Sequence, residues 1–371
     1  MVSCFPSGSF CFEKGENKMS SIITDILAVI GVVLNGLPQG LLALSLGFAS
    51  IPTALAFFVG AIGNTITQNV APISFQAETI TYAGKSGKNR SEACTIIFIG
   101  GLIMAIVGLT GTLTKIVDFI GNDIANGMMA GVGIMLTKTS IDMIRDDKLS
   151  GGVSLVAALI TYIIVRDSSN SLVYTILVSV VASCIASAIF QKGKQKTITV
   201  VDDNFKHQKF TINRNVIFGA LGIACLNIGS NISFGSITAS MASSAHYNVD
   251  QLTFISSAAD MCSSFFGGAP VESIISATAA APHAVWAGVA MMVVIGVILL
   301  TGLLPKIGKY VPSSSIAGFL FVLGIFKTVA LDAPTALATA PVVGALTMTV
   351  TAVTNPFFGM LAGIAARVLG F

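Results

Sequence analysis

Apolar stretches of nearly membrane-spanning length recur from residue 22 to residue 371, and short polar connections separate them. A helix needs about 20 consecutive apolar residues to cross the hydrocarbon core of a bilayer. Only 10% of the 371 residues are charged and 54% are hydrophobic, whereas a soluble domain carries about 25% charged residues. A soluble core of this size would leave much apolar surface in water. The sequence therefore predicts an all-α, polytopic protein of the cell (plasma or inner) membrane, with the lipid bilayer as its surroundings.

The apolar stretches number fourteen, and a polar connection at residues 191–214 leaves seven on each side. We interpret residues 1–21 as an N-terminal tail, 22–190 as a first seven-segment repeat and 215–371 as a second one. Because seven is an odd number, the second copy would enter the membrane from the opposite side. Such inverted repeats are common in secondary transporters.

A short similarity between the halves supports this division. The segment Leu109–Ile116 resembles Leu300–Ile307 at an offset of 191 residues (109 to 300). The same offset pairs glycines further along the chain: Gly127 with Gly318, and Gly133 with Gly324. The alternative is a chance likeness between two apolar, glycine-rich sequences.

Two of the predicted segments, the third and the tenth, contain residues that interrupt a helix. Pro72 precedes a polar stretch with Glu78 in the third, and Pro270 precedes Glu272 in the tenth. Irregular backbone and carboxylates at membrane depth are tolerated where protein or a water-filled cavity surrounds them. We therefore expect two short helices whose N-termini face each other near the membrane midplane, around a polar pocket.

This pocket defines the candidate substrate contacts, which are Glu272, Glu78, Phe75, Gln76, Ser273, Ser276, Asn227 and Asn231. The two asparagines lie four residues apart and so share one helix face. They would bind a polar solute or, alternatively, form hydrogen bonds between helices. Each of the two glutamates would alternatively cap its own short helix. Asp260, a third acid within a predicted span, joins Glu272 and Glu78 as a candidate for proton or cation coupling, or pairs with a hydroxyl or backbone group.

Motifs of other function classes are missing from the sequence. It contains no nucleotide-binding loop, nucleophile elbow or zinc-ligand spacing. The net charge of +3 is spread over short connections, which gives no basic surface for nucleic acid. We expect a protein that is not an enzyme, that needs no cofactor and no metal ion, and that has no nucleic-acid partner.

Four stretches resemble the nucleobase–cation symporter-2 family: Ala258–Pro270, Ala71–Pro72, Gly101–Gly111 and Ala130–Gly133. These are the xanthine/uracil permeases, and the likeness is greatest to their hypoxanthine/guanine/adenine permease branch. The resemblance implies core and gate domains, the core formed by spans 1–4 and 8–11. It also implies a substrate held between spans 3, 8 and 10, coupling to a proton or another cation, and a possible homodimer.

On this basis we expect a secondary active transporter of a small polar solute, a purine or related nucleobase, that works by alternating access. Phe75 would stack on the ring of the base. The stretch Cys225–Gly229, which matches the eighth span, lacks the acidic residue that the permeases carry there. This departure favours an alternative, a sulfate-permease-like anion transporter on the same fold. A third interpretation is a membrane scaffold or sensor that transports nothing.

The distribution of positive charge bears on orientation. Fourteen of the 20 Lys and Arg residues fall in connections on the side opposite the predicted termini. Because cytoplasmic loops are enriched in Lys and Arg, this distribution places the termini outside the cytoplasm. The family resemblance implies the reverse, so both orientations stay open.

Overall fold

The computed structural model describes residues 12–167, 171–191, 198, 205–242 and 246–371. Helices dominate it. In chain order they are α1 (Phe12–Ser45), α2 (Ser50–Thr67), α3 (Ala77–Ser86), α4 (Arg90–Thr110), α5 (Leu113–Ile120), α6 (Asn122–Asp146), α7 (Lys148–Val165), α8 (Ser171–Phe190), α9 (Arg214–Met241), α10 (Val249–Phe265), α11 (Ala284–Leu300), α12 (Leu303–Gly308), α13 (Ala317–Val322), α14 (Ala330–Thr339), α15 (Pro341–Val353) and α16 (Pro356–Val368). The other elements are the strands β1 (Ile73–Ser74) and β2 (Glu272–Ser273), 3₁₀ turns at Ala277–Ala280 and Ser313–Ile316, and a π-helix at Leu323–Val329.

Many of these helices are suited to a bilayer. In the described part of the chain, six helical stretches are long and apolar enough to cross a membrane: Ser21–Ser45, Ser50–Thr67, Arg90–Thr110, Lys148–Val165, Arg214–Met241 and Ser313–Thr339. Four shorter apolar helices accompany them: Tyr174–Phe190, Ala284–Leu300, Pro341–Val353 and Pro356–Val368. Large apolar side chains such as Ile160, Ile163 and Val181 are exposed, as expected of surfaces that contact lipid. The chain is a multi-pass membrane protein.

The ends of α1, α8 and α9 can be compared with the predicted domain boundaries. α1 begins at Phe12, within the predicted tail 1–21, and residues 1–11 lie outside the described residues. α8 ends at Phe190, the last residue of the predicted first repeat. Much of the predicted connection 191–214 also lies outside the described residues, and α9 begins at its last residue, Arg214.

The helices form two groups that pack mainly among themselves. In the first group, α10 packs against α4 and α2, α2 packs against α11, and α4 packs against α9. In the second group, α6 packs against α14, α15 and the π-helix, and α7 packs against α8 and α13. Both broken segments belong to the first group, whose helices α3 and α9 contact α6 of the second.

Glycines allow three helices of the second group to approach closely. A Cβ added to Gly131 of α6 would lie 2.5 Å from the Cβ of Thr351 on α15. A Cβ added to Gly359 of α16 would overlap the hydroxyl of Thr351, and one on Gly363 would overlap that of Thr347. Small residues at helix interfaces are the usual means of close packing in membranes. α15 is therefore held between α6 and α16 at backbone-contact distance.

A second close contact joins α6 to the π-helix. A Cβ added to Gly133 would lie 2.7 Å from the carbonyl oxygen of Gly324, and one added to Gly324 would lie 2.5 Å from that of Gly133. These glycines are one of the two pairs that the 191-residue offset relates in the sequence. The two backbones therefore touch at positions that the 191-residue offset pairs.

Asp147 connects α6 to α7 and caps the start of α7. Its carboxylate accepts hydrogen bonds from Ser150 N (3.1 Å), Ser150 Oγ (2.6 Å) and Gln191 Nε2 (2.8 Å). Partial burial acts to raise the pKa of Asp147, but the hydrogen bonds to its charged form outweigh burial and lower the pKa below the ordinary value. The ionised group therefore stabilises the fold above the unfolded-state pKa of about 4. That contribution is lost as the pH falls through the lower, folded-state pKa.

We expect the Asp147→Ala variant to be less stable than the wild type by roughly 1 kcal/mol near neutral pH, because α7 loses its cap. The difference should narrow below about pH 4, where the wild-type carboxyl becomes protonated. Thermal unfolding of both proteins across this pH range measures the effect. If the difference in stability between the two proteins does not change with pH, the ionised carboxylate has no such role.

Candidate functional site

The first broken segment runs from the end of α2 to the start of α3. Pro72 keeps the residue before it out of helical backbone, and the chain forms β1 before α3 begins at Ala77. Side chains of α1 and α2 bind the backbone here. Asn64 Nδ2 donates to the carbonyl oxygen of Ala71 (2.8 Å), and Gln39 Oε1 accepts from Ala77 N (2.9 Å). Non-helical backbone at membrane depth needs such partners.

The second broken segment follows α10. Gly267 has a φ of 91°, a conformation that suits glycine because it has no Cβ, and the helix ends there. Two side chains then bind the extended backbone. Thr53 Oγ1 accepts from Ala269 N (2.8 Å), and Asp260 Oδ1 accepts from Val271 N (2.7 Å). The chain goes on into β2.

Only one of the two expected short helices is an α-helix. α3 has 10 residues, whereas a 3₁₀ turn of 4 residues, Ala277–Ala280, stands in place of the second. Ser276 caps this turn, because its Oγ accepts from Thr278 N (3.3 Å). Pro282 follows closely and disfavours continuation, since it has no N–H and restricts the residue before it. The prediction of two facing helix N-termini is therefore wrong for the second segment, and α3 alone offers a helical dipole.

The two broken segments meet inside the protein. β1 and β2 pair antiparallel, with Ile73 opposite Ser273 and Ser74 opposite Glu272. Opposite residues of an antiparallel pair project to the same face, so Ser74 and Glu272 share one face of this small sheet. All four residues are at most 1% exposed. The contact joins parts of the chain that are about 200 residues apart.

Glu272 lies in a cluster of polar side chains from α9 and α10. Its polar neighbours include Asp260, Asn227 and Ser256, and the carboxyl groups of Asp260 and Glu272 lie beside each other. Within the described residues, neither carboxylate oxygen of Glu272 and neither polar side-chain atom of Asn227 has a hydrogen-bond partner. The same is true of Asp260 Oδ2. The structure thus brings Glu272, Asp260 and Asn227 together.

Among the residues that the structure describes, many of the buried polar atoms without a partner lie around the β1–β2 pair. Such an atom costs about 1–3 kcal/mol, and native proteins contain few of them. A group of them therefore indicates where water or a polar ligand binds. The side chains that contribute such atoms here are Ser74, Gln76, Asn227, Asp260, Glu272 and Ser273.

Other candidate residues already have partners. Asn231 Nδ2 donates to Thr253 Oγ1 (3.2 Å) and lies 3.4 Å from Ser256 Oγ, so the alternative of bonding between helices fits this amide nitrogen. Asn231 Oδ1 has no partner among the described residues. Ser276 caps the 3₁₀ turn. Gln76 Oε1 accepts from Thr79 Oγ1 (2.6 Å), while Gln76 Nε2 has no partner among the described residues.

Glu78 lies in the first turn of α3 and is 4% exposed. Its carboxylate bonds to its own backbone N–H and accepts from Thr328 Oγ1 at 3.4 Å. The capping alternative therefore fits Glu78. Because Thr328 belongs to the π-helix, this contact also links the two helix groups.

Phe75 packs in the apolar core. Its ring lies edge-on to that of Phe57, with centroids 5.0 Å apart. A Cβ added to Gly40 of α1 would lie 2.9 Å from the same ring. With 1% of Phe75 exposed, these contacts enclose the ring, and they do not support the expected stacking on a substrate.

Sequence reasoning missed Ser74, Ser256 and Thr53. The sequence does indicate Ser74. In an extended chain after Pro72, Ser74 and Gln76 are two residues apart and therefore lie on the same face. Ser256 and Thr53 gave no such signal. Hydroxyl residues inside apolar helices commonly bond to their own helix, and their tertiary partners are more than a dozen residues away along the chain.

Replacing Thr53 by Val tests how the second broken segment is held. Thr53 Oγ1 accepts from Ala269 N (2.8 Å) and donates to Ala49 O (2.6 Å). Valine has a similar shape but no acceptor, so a buried N–H loses its partner at a cost of about 1–3 kcal/mol. Thr65→Val is the matched control, since Thr65 Oγ1 is seen only to donate to Ala61 O (2.7 Å) within the described chain. We expect this control to cost less than about 0.5 kcal/mol; equal losses on thermal unfolding would contradict the assignment.

No protein-family model and no curated protein matches this sequence. Solved structures share its fold. The overall structure of SLC26A9 matches with a TM-score of 0.72 and 11% identity over 95% of this chain and 65% of that one. The murine Solute Carrier 26 family member A9 anion transporter in the inward-facing state gives 0.69 and 12% over 100% and 73%. The transmembrane domain of a cyanobacterial bicarbonate transporter, BicA, gives 0.67 and 14% over 92% and 97%. The chain thus spans about two thirds of SLC26A9.

These matches correct the expected family. The resemblance to the nucleobase–cation symporter-2 family is wrong, since the structures that match are anion and bicarbonate transporters. The glycines that carried the resemblance serve helix packing. A Cβ on Gly101 would lie 3.1 Å from Ser257 O, and one on Gly108 would lie 2.7 Å from Asp250 O. Such residues report how closely helices approach, and they do not report the solute.

The matched proteins are transporters, in agreement with the expectation that this chain is not an enzyme. Identities of 11–14% relate folds alone. The chain is a multi-pass membrane protein with the fold of the SLC26A9 anion transporter and of the BicA transmembrane domain.

Proposed function

We propose that this protein is a secondary active transporter that carries a small anion across the membrane by alternating access. The observation that carries the proposal is the meeting of β1 and β2 beside unpartnered buried polar groups, inside a fold shared with anion transporters. Irregular backbone at membrane depth is stable where it lines a polar site. Transporter sites are typically built from such interrupted helices near the midplane.

We infer an architecture of fourteen segments in two inverted repeats of seven, with the first helix group as core and the second as gate. The contact between Gly133 and Gly324 supports the repeat, because a residue that touches its own equivalent lies near the two-fold axis relating the copies. The antiparallel pairing of β1 with β2 supports it too, since a two-fold axis generates that pairing from equivalent strands. The contact of Glu78 with Thr328 would then lie where core and gate move past each other.

The unpartnered donors suit a small anion. Ser74, Ser273, Asn227 and Gln76 all carry buried side-chain donors. The N-terminus of α3 adds the positive end of a helix dipole close to β1. Neutral donors and a helix end bind an oxyanion without the cost of burying a lysine or arginine in the membrane. We assign these four side chains and α3 to anion binding.

Asp260 and Glu272 would repel this anion unless a proton neutralises one of them. Two adjacent carboxylates inside a membrane protein are costly when both are charged. A proton held between them would supply the hydrogen-bond donor that Asp260 Oδ2 and the Glu272 carboxylate lack among the described residues. We infer that anion and proton cross together, with Asp260 and Glu272 as the proton carriers. Glu78, bound to its own helix and to Thr328, is assigned to the core–gate contact.

Uptake into vesicles containing the purified protein tests this proposal. Labelled sulfate, oxalate and chloride are offered with an alkaline interior, and bicarbonate is offered at one alkaline pH because acid converts it to carbon dioxide. We expect at least one anion to accumulate, and its accumulation to collapse with a protonophore. If accumulation depends on a sodium gradient and not on a proton gradient, the coupling ion is sodium. No uptake of any of the four by folded protein would contradict the proposal and favour a scaffold or sensor. The homodimer implied by the resemblance stays a prediction.

A further inference from the structure

A polar cavity of about 580 Å³ lies where several helix ends meet, away from the broken segments. Its lining residues are Lys88, Asn213, Arg214, Asn215, Phe218 and Phe358. Lys88 belongs to the connection between α3 and α4, and Arg214 and Phe218 to the start of α9. Phe358 lies in the first turn of α16. The cavity therefore adjoins both helix groups.

Two positive charges face this cavity. Lys88 and Arg214 are exposed, and neither forms an ion pair within the described residues. The carboxylate of Glu92, in the adjoining turn of α4, is engaged by other donors. Its Oε2 accepts from Lys88 N (3.0 Å) and its Oε1 from Asn213 Nδ2 (2.9 Å). The cavity thus presents an excess of positive charge to a ligand.

Aromatic rings form the other wall of the cavity. The guanidinium carbon of Arg214 lies 5.6 Å from the ring centroid of Phe218. The rings of Phe218 and Phe358 are 4.9 Å apart, and Phe357 lies 5.6 Å beyond Phe358. α9 and α16 both go on from here as apolar helices. Cations beside aromatic rings at the start of an apolar span are typical of the membrane–water interface.

We propose that this cavity binds the headgroup of an anionic phospholipid. Lys88 and Arg214 contact the phosphate, and Phe218 and Phe358 lie beside the glycerol and upper acyl chain. A lipid suits the cavity better than a free anion, because apolar helix surface continues directly from its aromatic wall. In the predicted fourteen-segment topology, this end of the molecule also lies on the side that carries fourteen of the 20 Lys and Arg residues. Such a side is expected to face the cytoplasmic leaflet, where anionic lipids are abundant. The bound lipid would join α9 of the first helix group to α16.

Binding of phosphatidylglycerol against phosphatidylcholine tests the site, by native mass spectrometry and by thermal unfolding of the purified protein. The variant carries Lys88→Gln together with Arg214→Gln. The matched control carries Lys306→Gln together with Lys309→Gln. It removes the same charge from two exposed lysines, one in α12 and one just after it. We expect phosphatidylglycerol, and not phosphatidylcholine, to raise the unfolding temperature of the wild type and of the control. The cavity variant should retain at most about one tenth of the phosphatidylglycerol that the wild type retains.

Three results would overturn the proposal. The first is equal retention of phosphatidylglycerol by the cavity variant and the wild type. The second is an equal loss in the cavity variant and the control, which would indicate general surface charge. The third is equal stabilisation of the wild type by inorganic phosphate, which would indicate a site for a free anion. The single variant Lys88→Glu, at an exposed residue, is an independent test and should also bind less phosphatidylglycerol than the wild type.

Discussion

Glu272→Gln is expected to reduce proton-driven anion uptake roughly 100-fold, the lower end of the loss when a positioned proton-transfer group is removed. Glutamine has nearly the same size, and its amide offers a permanent donor to the neighbouring carboxyl of Asp260. It takes up and releases no proton, however. The side chain therefore keeps its place beside β1 while the proton carrier is lost. Initial rates of uptake under an inward proton gradient measure the effect, and size-exclusion profiles report the amount of folded protein.

Measurements of anion exchange and of its pH dependence distinguish a role of Glu272 in proton coupling from a purely structural role. The variant should still exchange labelled for unlabelled anion at equal pH, with a rate that changes little with pH. Asp118→Asn is the control, because Asp118 is an exposed carboxylate on α5, and uptake by this variant should match the wild type. Wild-type uptake with unchanged pH dependence in Glu272→Gln would remove Glu272 from the mechanism and the Asp260–Glu272 pair from the coupling.

Gly131→Leu and Gly359→Leu are each expected to lower the free energy of unfolding strongly. Both glycines contact Thr351 of α15, from α6 and from α16 respectively. Overpacking a tight core costs about 1–3 kcal/mol, and we expect the upper end of this range because the helices must move apart. Membrane helices gain little from hydrophobic burial against one another, so close packing is their main source of attraction. Each variant should lower the thermal unfolding temperature and the yield of monodisperse protein in detergent.

Gly152→Leu is the matched control for these two variants. Gly152 also lies in a helix, α7, and a Cβ added there would meet nothing within 4 Å. The substitution is the same and the space is open, so we expect stability within about 0.5 kcal/mol of the wild type. Comparable losses at Gly131 and Gly152 would show that the leucine itself, and not the contact with Thr351, is responsible.

Features with local causes were predictable. The apolar length of α4 and α9 and the interruptions at Pro72 and Gly267 need no knowledge of the rest of the chain. The expected family was less accessible. The resemblance depends in part on the glycines of Gly101–Gly111, whose spacing reflects helix packing, and proteins that carry different solutes can share such packing. The second expected short helix does not form for a local reason, because Pro282 lies two residues beyond the turn Ala277–Ala280.

The sequence by itself determined that this chain enters a membrane and where its backbone leaves the helix, because apolar length, proline and glycine act within a few residues. Only the tertiary structure decided which polar groups meet. Glu272 lies opposite Ser74 and beside Asp260, whereas Glu78 reaches Thr328, 250 residues away. Thr53 holds Ala269 across 216 residues. Such pairings depend on how the helices pack against one another, and the packing is settled by the shapes of many side chains at once.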